Sequence, residues 1–424
     1  IVATGSVGVL GIAASCYNAD VVQPYGVEVE VTRTEFSVAG ENILLQAKGH
    51  YATTIIGAST YFKHQTSTAT RLMESEVLMM ISGQDIVVAN LGLQTTTAVM
   101  GEAVFGGGGD IELTDVVRHV TGSNITLSTP VQVNSLAAIL GISCLTGKLG
   151  ANVTIIGAIT TINGTQINAE LTGEHALTIG GVSILGLERE ASTFISIENS
   201  STCVNLTNSA WIITTRRSVA SILGVASWSE AAATTLVTST QFRMPFIRDS
   251  TFHISSSINL GASLVILGIS SGAWDGKPLA ECHATTFAVL DGIDLQLLIP
   301  SGGGRMGVAI LSVLAYSEGG HPLKLVVEDT IIFASLKNSL IVAETHNVGS
   351  SYYGAAAMSV AGFKPVVSAF VDVVIRNTTL ALTADTCTVT VLTNMNFALL
   401  LSFAAAEQLL LEDSDIVVEG KDLR

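Results

Sequence analysis

The chain has 424 residues, of which 48% are hydrophobic, 5% aromatic and 13% charged, and its formal net charge is -16. This much apolar sequence excludes an intrinsically disordered chain, because it can form a sizeable core. The acidic balance argues against nucleic acid as a partner, since phosphates would be repelled. The mean hydropathy of +0.54 leaves two interpretations, a bundle of membrane helices or sheets whose strands are buried on both faces.

Residues 254–274 and 397–411 come closest to a membrane-spanning helix, which needs about 20 predominantly apolar residues. The first segment contains six serines and an asparagine, and the second is interrupted by Glu407 and Gln408. We therefore expect no spanning helix, and membrane attachment only through regions outside this chain. The sequence begins at Ile1 without a Met or a basic signal-peptide region, so we expect a processed product or an excerpt of a longer protein, and favour the excerpt.

The main pattern along the chain is an apolar run that ends in Gly and is followed by another apolar residue. It reads T-T-I-I-G-A-S around Gly57 and returns at intervals of 44, 40, 39, 44, 44 and 44 residues, at Gly101, Gly141, Gly180, Gly224, Gly268 and Ser312. A single unit of this kind cannot bury its apolar face, whereas stacked units form a continuous core. The repetition therefore predicts a solenoid.

A second repeated feature is a small polar pair that opens a strand. The pairs begin at Asn208, Asp249, Asp291, Asp329, Asn377 and Asp413, with weaker copies at Glu74 and Arg33. The runs that flank each pair are rich in Val, Ile, Leu and Thr, which is typical of β-strands. Each unit is therefore predicted to contain a strand, a polar corner, a strand, a short turn, a strand and a loop, with no helical period.

These patterns predict an all-β fold, a right-handed parallel β-helix solenoid of about ten coils with a repeat period near 40 residues, in which residues 1–424 form a single solenoid. At the usual strand spacing the body would be about 45–50 Å long. The alternatives are another all-β solenoid or sandwich, and a propeller, whose blades need antiparallel strands. Neither end shows an amphipathic capping helix, so we expect uncapped ends that a neighbouring coil covers.

Carboxylates are the first candidates for chemistry, because a glycoside hydrolase needs two of them across a cleft. Most of those here recur at the polar corner, and repetition at one structural position indicates a turn role. The carboxylates considered are Asp249, Asp291, Asp294, Glu328, Asp329, Asp413 and Asp415. The signatures of pectin hydrolases, such as Asn-Thr-Asp and Gly-His-Gly, do not occur in the sequence. We therefore predict no catalytic residues.

Two glycine clusters, residues 106–109 and 302–304, resemble phosphate-binding loops only superficially, because no Lys-Ser/Thr follows them. We interpret both as flexible connections between coils. The eight histidines have no metal-ligand spacing, so we predict no metal site and no cofactor. They are His50, His64, His119, His175, His253, His283, His321 and His346.

The five cysteines are Cys16, Cys144, Cys203, Cys282 and Cys387, and they form no zinc or redox motif. Two interpretations stay open: buried small apolar side chains, or disulfides between neighbouring coils with one partner outside the chain. Six Asn-X-Ser/Thr sequons predict N-glycosylation and hence a secreted glycoprotein. The sequon asparagines are Asn124, Asn152, Asn163, Asn199, Asn205 and Asn377.

The corner sequences E-D-T, R-N-T, R-D-S and E-D-S stand in a chain rich in Ala, Val, Ser and Thr. This texture resembles the pectin-lyase-like β-helix repeats of large surface proteins in the trypanosomatid dispersed gene family, and the resemblance spans most of the chain. It implies a giant cell-surface protein with an adhesive or coat role and no catalytic residues.

We therefore expect a non-enzymatic extracellular surface or filament protein, in which the β-helix is a scaffold for adhesion or assembly. Its expected partners are neighbouring solenoid segments or subunits end to end, and glycans or host or matrix proteins. One alternative is a polysaccharide-active lyase or hydrolase on the same fold. The other is a structural protomer of a flagellar hair or fibre.

Overall fold

The computed structural model describes most of the chain. The described residues are 7–16, 25–62, 69–91, 96–130, 136–188, 191–215, 219–229, 231–256, 262–274, 276–290, 293–299, 306–317, 321–345, 353–363, 370–393, 397–405 and 407–421. Strands account for 83% of these residues, and none of these residues is helical. A helix that could cross a membrane is therefore not found within these ranges.

The described residues form 39 strands. In chain order they are β1 (Val7–Gly8), β2 (Gly11–Cys16), β3 (Tyr25–Thr32), β4 (Glu35–Ala47), β5 (Ala52–Phe62), β6 (Ala69–Ser75), β7 (Leu78–Asn90), β8 (Thr96–Thr114), β9 (Val117–Pro130), β10 (Leu136–Ile139), β11 (Ile142–Ile156), β12 (Ile159–Gly173), β13 (Ala176–Ile179), β14 (Val182–Gly186), β15 (Ser192–Glu198), β16 (Ser201–Thr207), β17 (Ala210–Thr215), β18 (Val219–Ile222), β19 (Val225–Ser229), β20 (Ala232–Thr238), β21 (Gln241–Arg248), β22 (Ser250–Ser256), β23 (Ala262–Ile266), β24 (Ile269–Ala273), β25 (Leu279–His283), β26 (Thr286–Leu290), β27 (Ile293–Ile299), β28 (Met306–Ile310), β29 (Val313–Ser317), β30 (Leu323–Glu328), β31 (Ile331–Lys337), β32 (Leu340–Thr345), β33 (Tyr353–Phe363), β34 (Val371–Arg376), β35 (Thr379–Asp385), β36 (Thr388–Thr393), β37 (Phe397–Ala405), β38 (Gln408–Glu412) and β39 (Asp415–Lys421).

The strands form one 24-stranded and one 15-stranded sheet. Each strand pairs in parallel with its equivalent roughly 40 residues further along the chain; Gly57, for example, lies opposite Gly101. Parallel ladders of this kind exclude the antiparallel blades of a propeller. The fold is consistent with a β-solenoid, and we call each repeated unit a coil.

One column of residues runs through the coils at the turn inside the apolar run. Its members are Gly11, Gly57, Gly101, Gly141, Gly181, Gly224, Gly268, Ser312, Ser359 and Ser402. The sequence pattern placed Gly180 in this column, which is wrong by one residue. Gly180 has a φ of +69° and occupies the preceding position, where other coils carry a residue such as Ile56 or Leu223, also at positive φ.

Close backbone contact explains why glycine occupies most of this column. A Cβ atom on Gly11 would lie 2.6 Å from the carbonyl oxygen of Gly57, which is closer than real contacts allow. In the three serine-bearing coils a hydroxyl links the turns instead. The Ser312 hydroxyl donates to the Ile310 carbonyl at 2.7 Å and accepts from the Ser359 amide at 3.1 Å. In the N-terminal coils the turns of this column are thus in close backbone contact through glycine, and in the last three coils they are joined by serine hydrogen bonds.

The coils turn at two polar corners, not one. The first corner is formed by Arg33, Glu76, Asp115, Gly157, Asn199, Ser239, Ala284, Asp329, Asn377 and Asp413, all at positive φ. The second is formed by Asn42, Asp85, Asn124, Gln166, Asn208, Asp249, Asn338 and Thr386, also at positive φ. The predicted single series of polar pairs was therefore wrong, because it joined members of both columns. Asp291 lies outside the described residues, and Glu74 precedes its corner residue, Glu76, by two positions.

The residue after each corner explains why the pairs are polar. Behind the first corner, the Ser200 hydroxyl donates to the Glu198 carbonyl at 2.9 Å and accepts from the Ala158 amide of the preceding coil at 3.2 Å. Behind the second, the Ser209 hydroxyl donates to the Thr207 carbonyl at 3.1 Å and accepts from the Ile167 amide at 3.0 Å. Because both corners use the same bonds, their local sequences look alike.

The glycine cluster at 106–109 is not a connection between coils, as the sequence suggested. All four glycines are buried within β8, and Gly109 lies opposite Ala151. A Cβ atom on Gly109 would lie 2.6 Å from the Sγ atom of Cys144, so packing against the next coil requires glycine there. The second cluster, residues 302–304, lies outside the described residues.

We predict that Gly141→Ala destabilises the protein by about 2–3 kcal/mol, because its new Cβ atom would clash with the backbone carbonyl of Gly181. Ser312→Ala in the same column adds no atom and removes only hydroxyl bonds, so we expect a loss of about 1–2 kcal/mol. Chemical unfolding followed by circular dichroism measures both. A Gly141→Ala variant as stable as the wild type would show that the coils do not approach closely at this column.

Candidate functional site

Three charged side chains break the pattern of apolar columns in the core. Glu74 on β6, Glu102 on β8 and Arg118 on β9 all point inward and are almost fully buried. The position of Glu102 is taken by Ala58 and Ile142 in the two neighbouring coils. Buried serines and threonines are common in this solenoid, but among the described residues only these three buried side chains are acidic or basic, which sets the cluster apart.

The cluster contains one ion pair and one further acid. The Arg118 guanidinium donates to a carboxylate oxygen of Glu102. Burial raises the pKa of Glu74 well above its ordinary value, and the charge of Glu102 raises it further, while Arg118 acts in the opposite direction. Burial alone would lower the pKa of Arg118, but Glu102 outweighs that effect and the pKa is raised. The arrangement therefore favours a protonated Glu74 beside the Glu102–Arg118 ion pair.

A cavity of about 50 Å³ lies next to Arg118 inside the solenoid. Arg118 shares its column with Thr160 and Thr202 in the next two coils and with Phe242 in the third. In the coils of Thr160 and Thr202, the residues of the turn column are Gly141 and Gly181, which have no side chain to fill the space. The cavity therefore lies where small residues of these two columns face each other.

The sequence contained a signal for this cluster that the pattern analysis missed. Glu102 directly follows Gly101, at a position where the other repeats carry an apolar residue such as Ile142 or Val225. A charged residue at an invariably apolar step of a repeat indicates a buried ion. Arg118 could not be recognised in the same way, because its column contains both polar and apolar residues.

The corner carboxylates that the structure describes, those of Asp249, Asp329 and Asp413, are exposed on the outside of the solenoid. Asp249, Asp329 and Asp413 adopt positive φ, in agreement with a turn role. Next to the first corner, Arg376 bonds Glu328 at 3.0 Å and Glu412 at 2.7 Å. Hydrogen bonds to Glu412 and then Glu328 raise the pKa of Arg376.

Two further acids considered in the sequence analysis, Asp294 and Asp415, lie on strands. Asp415 begins β39 and is exposed. Asp294 lies on β27 opposite Thr251, and nothing is described of its side chain.

Five of the predicted sequon asparagines lie at or between the two corners of a coil, whereas Asn152 lies on β11, before the first corner. Asn124, Asn152, Asn163, Asn199 and Asn377 are exposed, and Asn205 is half-buried. Two of them take part in corner ladders: Asn124 donates to Asp85 at 2.6 Å and Asn377 donates to Asp329 at 2.7 Å. The placement leaves glycosylation a prediction.

Histidine and cysteine side chains are not brought together. Among the described residues no group of three His, Cys, Asp or Glu side chains could hold a metal ion. Cys144, Cys282 and Cys387 are buried free thiols, and Cys203 is an exposed one; nothing is described of the Cys16 side chain. Burial raises the pKa of Cys144, and that of Cys282 to about 11. The structure thus favours the interpretation of buried apolar thiols over disulfides between coils for these three.

The C-terminal coil differs from all others in exposure. Every residue of β38 and β39 is exposed, including the side chains that point along the core direction. Leu411 and Ile416 are 45% and 44% exposed, whereas their partners in the preceding coil, Ile375 and Leu380, are fully buried. Within the described ranges, β38 and β39 pair only with the preceding coil, so their other edge is open and lies beside an apolar surface.

The chain matches no protein-family model, no curated protein and no solved structure.

We predict that Arg118→Met destabilises the protein by about 3–5 kcal/mol, because it leaves the Glu102 carboxylate buried without a partner. Adding Glu102→Leu removes that charge, so the double variant should recover most of the loss. Urea unfolding of the two variants and the wild type measures both effects. Equal stability of Arg118→Met and the wild type would contradict the buried pair.

Glu74→Gln tests the protonated acid. Because the folded pKa of Glu74 is raised, its favourable contribution is complete below the unfolded value, near 4.5, and is lost as the pH rises towards the folded value. The free energy of unfolding of Glu74→Gln relative to wild type should therefore increase with pH above 4.5. A difference that stays flat with pH would refute the assignment.

Proposed function

We propose that this protein is a non-enzymatic extracellular or cell-surface scaffold, built as a right-handed parallel β-helix of about ten coils, that acts in adhesion or assembly. The handedness follows from the preference of parallel crossover connections, about 98% of which are right-handed. The observation that carries the proposal is the stacking of the coils in two continuous parallel sheets, in which each coil covers the apolar residues of the coil before it.

The edge of β38 and β39 is suited to a further parallel strand. Its core-directed side chains Leu409, Leu411, Ile416 and Val418 are 42–45% exposed. One more coil would cover them as this coil covers its predecessor, and would also pair the free backbone groups of the edge. Such a coil would belong to a neighbouring solenoid segment or to a subunit stacked end to end. A structural protomer of a hair or fibre is the second candidate, supported by the same edge.

The extracellular part of the proposal rests on the outer faces. Five of the six sequon asparagines are exposed, where an attached glycan would not disturb the core. The resemblance of the corner sequences to trypanosomatid surface proteins points in the same direction. Mass spectrometry of the protein isolated from its native source tests glycosylation directly.

We predict that Ile416→Lys combined with Val418→Lys reduces end-to-end association of the 424-residue chain, because two charges would replace the apolar surface of the edge. Sedimentation velocity over a concentration series, with negative-stain images, measures the association. Ile331→Lys is the matched control, because Ile331 is similarly exposed at 46% but its strand is paired on both sides. Association that persists unchanged in the double variant, or is lost equally in the control, would contradict the proposal.

A further inference from the structure

One strand departs from the repeat on the outer surface. On β21 the outward residues are Gln241, Arg243, Pro245, Phe246 and Arg248, and the burial pattern contains two adjacent exposed residues where alternation is the rule. Cys203 of the neighbouring strand lies opposite Arg243 and Asn205 lies opposite Phe246, so β21 carries one extra residue, a β-bulge. The two corners that flank it, Ser239 and Asp249, are accordingly ten residues apart instead of nine.

The bulge places a proline and an aromatic ring side by side on the surface. Pro245 lacks the amide hydrogen that a ladder needs, and a bulge is a position where a paired strand tolerates it. Phe246 is 38% exposed, and the Arg248 guanidinium lies 5.2 Å from the centre of its ring. This contact is a cation–π interaction, which holds the guanidinium over the ring.

The two arginines of β21 are unlike the other arginines of the described ranges. Arg33 pairs with Glu76, Arg71 with Glu28 and Glu112, Arg118 with Glu102, and Arg376 with Glu328 and Glu412. Arg243 and Arg248 are exposed and have no carboxylate within 4.0 Å among these residues. Two guanidinium groups are therefore available to bind an external anion.

Between the two corners, the described outward positions beside these arginines are uncharged. On the adjacent strands β16 and β26 they are Ser201, Cys203, Asn205, Thr207, Thr286 and Ala288. The acid next to the arginines along the chain is Asp249, the exposed corner residue that follows Arg248. Two cations on a protein of net charge -16 thus lie among uncharged side chains on this part of the face. At physiological ionic strength the remote acids are screened over about 8 Å, so the local cations dominate what this surface attracts.

The geometry also limits the kind of partner. β21 is paired on both sides, with β16 and β26, so it offers no backbone edge to an added peptide strand. The surface is the flat face of a sheet, with an exposed ring and hydroxyl and amide side chains. Such a face fits a ligand that is itself ring-based and rich in hydroxyl groups, with carboxylates for the arginine forks.

We propose that this β21 patch, consisting of Gln241, Arg243, Phe246 and Arg248, binds a carboxylated polysaccharide. The sugar chain lies along the strand, the ring of Phe246 packs against a sugar face, and each guanidinium binds a carboxylate. Arg243 and Arg248 lie opposite Cys203 and Thr207, four strand steps apart, so their Cα atoms are separated by about 13 Å. The inference deepens the adhesive part of the proposed function, since it names the ligand class of an outer face.

The test titrates the 424-residue chain with alginate oligomers, which carry a carboxylate on every sugar, by isothermal calorimetry at low salt. We expect binding that weakens as salt is raised. Arg243→Gln and Arg248→Gln should each lower the affinity about tenfold, and the double variant should lose binding. Phe246→Ala should weaken binding while keeping the salt dependence. Lys337→Gln, a cation on the same face two strands away on β31, is the matched control and should bind like wild type.

Three results would overturn the proposal. The first is unchanged alginate binding in the Arg243→Gln/Arg248→Gln variant, and the second is equal binding of neutral dextran. The third is equally tight binding of poly-glutamate, which would make an acidic protein the partner. Sedimentation of the same samples separates this inference from end-to-end association: loss of alginate binding with intact association would leave the assembly proposal standing. Thermal unfolding confirms that these surface variants remain folded.

Discussion

Every coil of this protein must lie one strand spacing, about 4.8 Å, from the next, because parallel backbone hydrogen bonds set that distance over both sheets. Each side chain therefore has as its nearest neighbours the side chains at the same position one coil away. The constraint is tightest at the turn column, where a Cβ atom on Gly101 would meet the Gly141 backbone. The scarcity of charge in the sequence follows from it, since most inward positions must stack apolar on apolar.

A column tolerates an unlike residue only when neighbouring columns compensate. Glu102 occupies an apolar step, and Arg118 from a different strand neutralises it. Gly180 has no side chain at a position where neighbouring coils carry a large one, and the side chains of Leu223 and Trp211 fill the space. The Trp211 indole donates to the Ile167 carbonyl at 3.1 Å, so this large ring is held in place by a bond as well as by packing. Departures from the repeat thus come in sets that span two or three coils.

The sequence predicted the fold class because period and composition are visible without knowing which residues touch. The register was less accessible. Gly180 and Gly181 are locally equivalent, and only the opposing backbone decides which one enters the column. The buried Glu74 was read as part of a corner, since its inward direction depends on the position of Glu76 two residues later. The bulge at Pro245 could not be predicted from the repeat, because it adds a single residue between two corners and the repeat length itself varies by several residues.

The two corners of a coil have a consequence for how the chain finds its fold. They share the same backbone conformation and the same hydroxyl bonds, and nine residues separate Asn199 from Asn208. After both corners the side chains alternate between inward and outward in the same order. A strand that paired nine residues away from its native partner would therefore still place apolar side chains inward. Contacts between residues distant in sequence must favour the native pairing over this displaced one. The turn column, with one glycine or serine in each coil, distinguishes the native alignment from the displaced one.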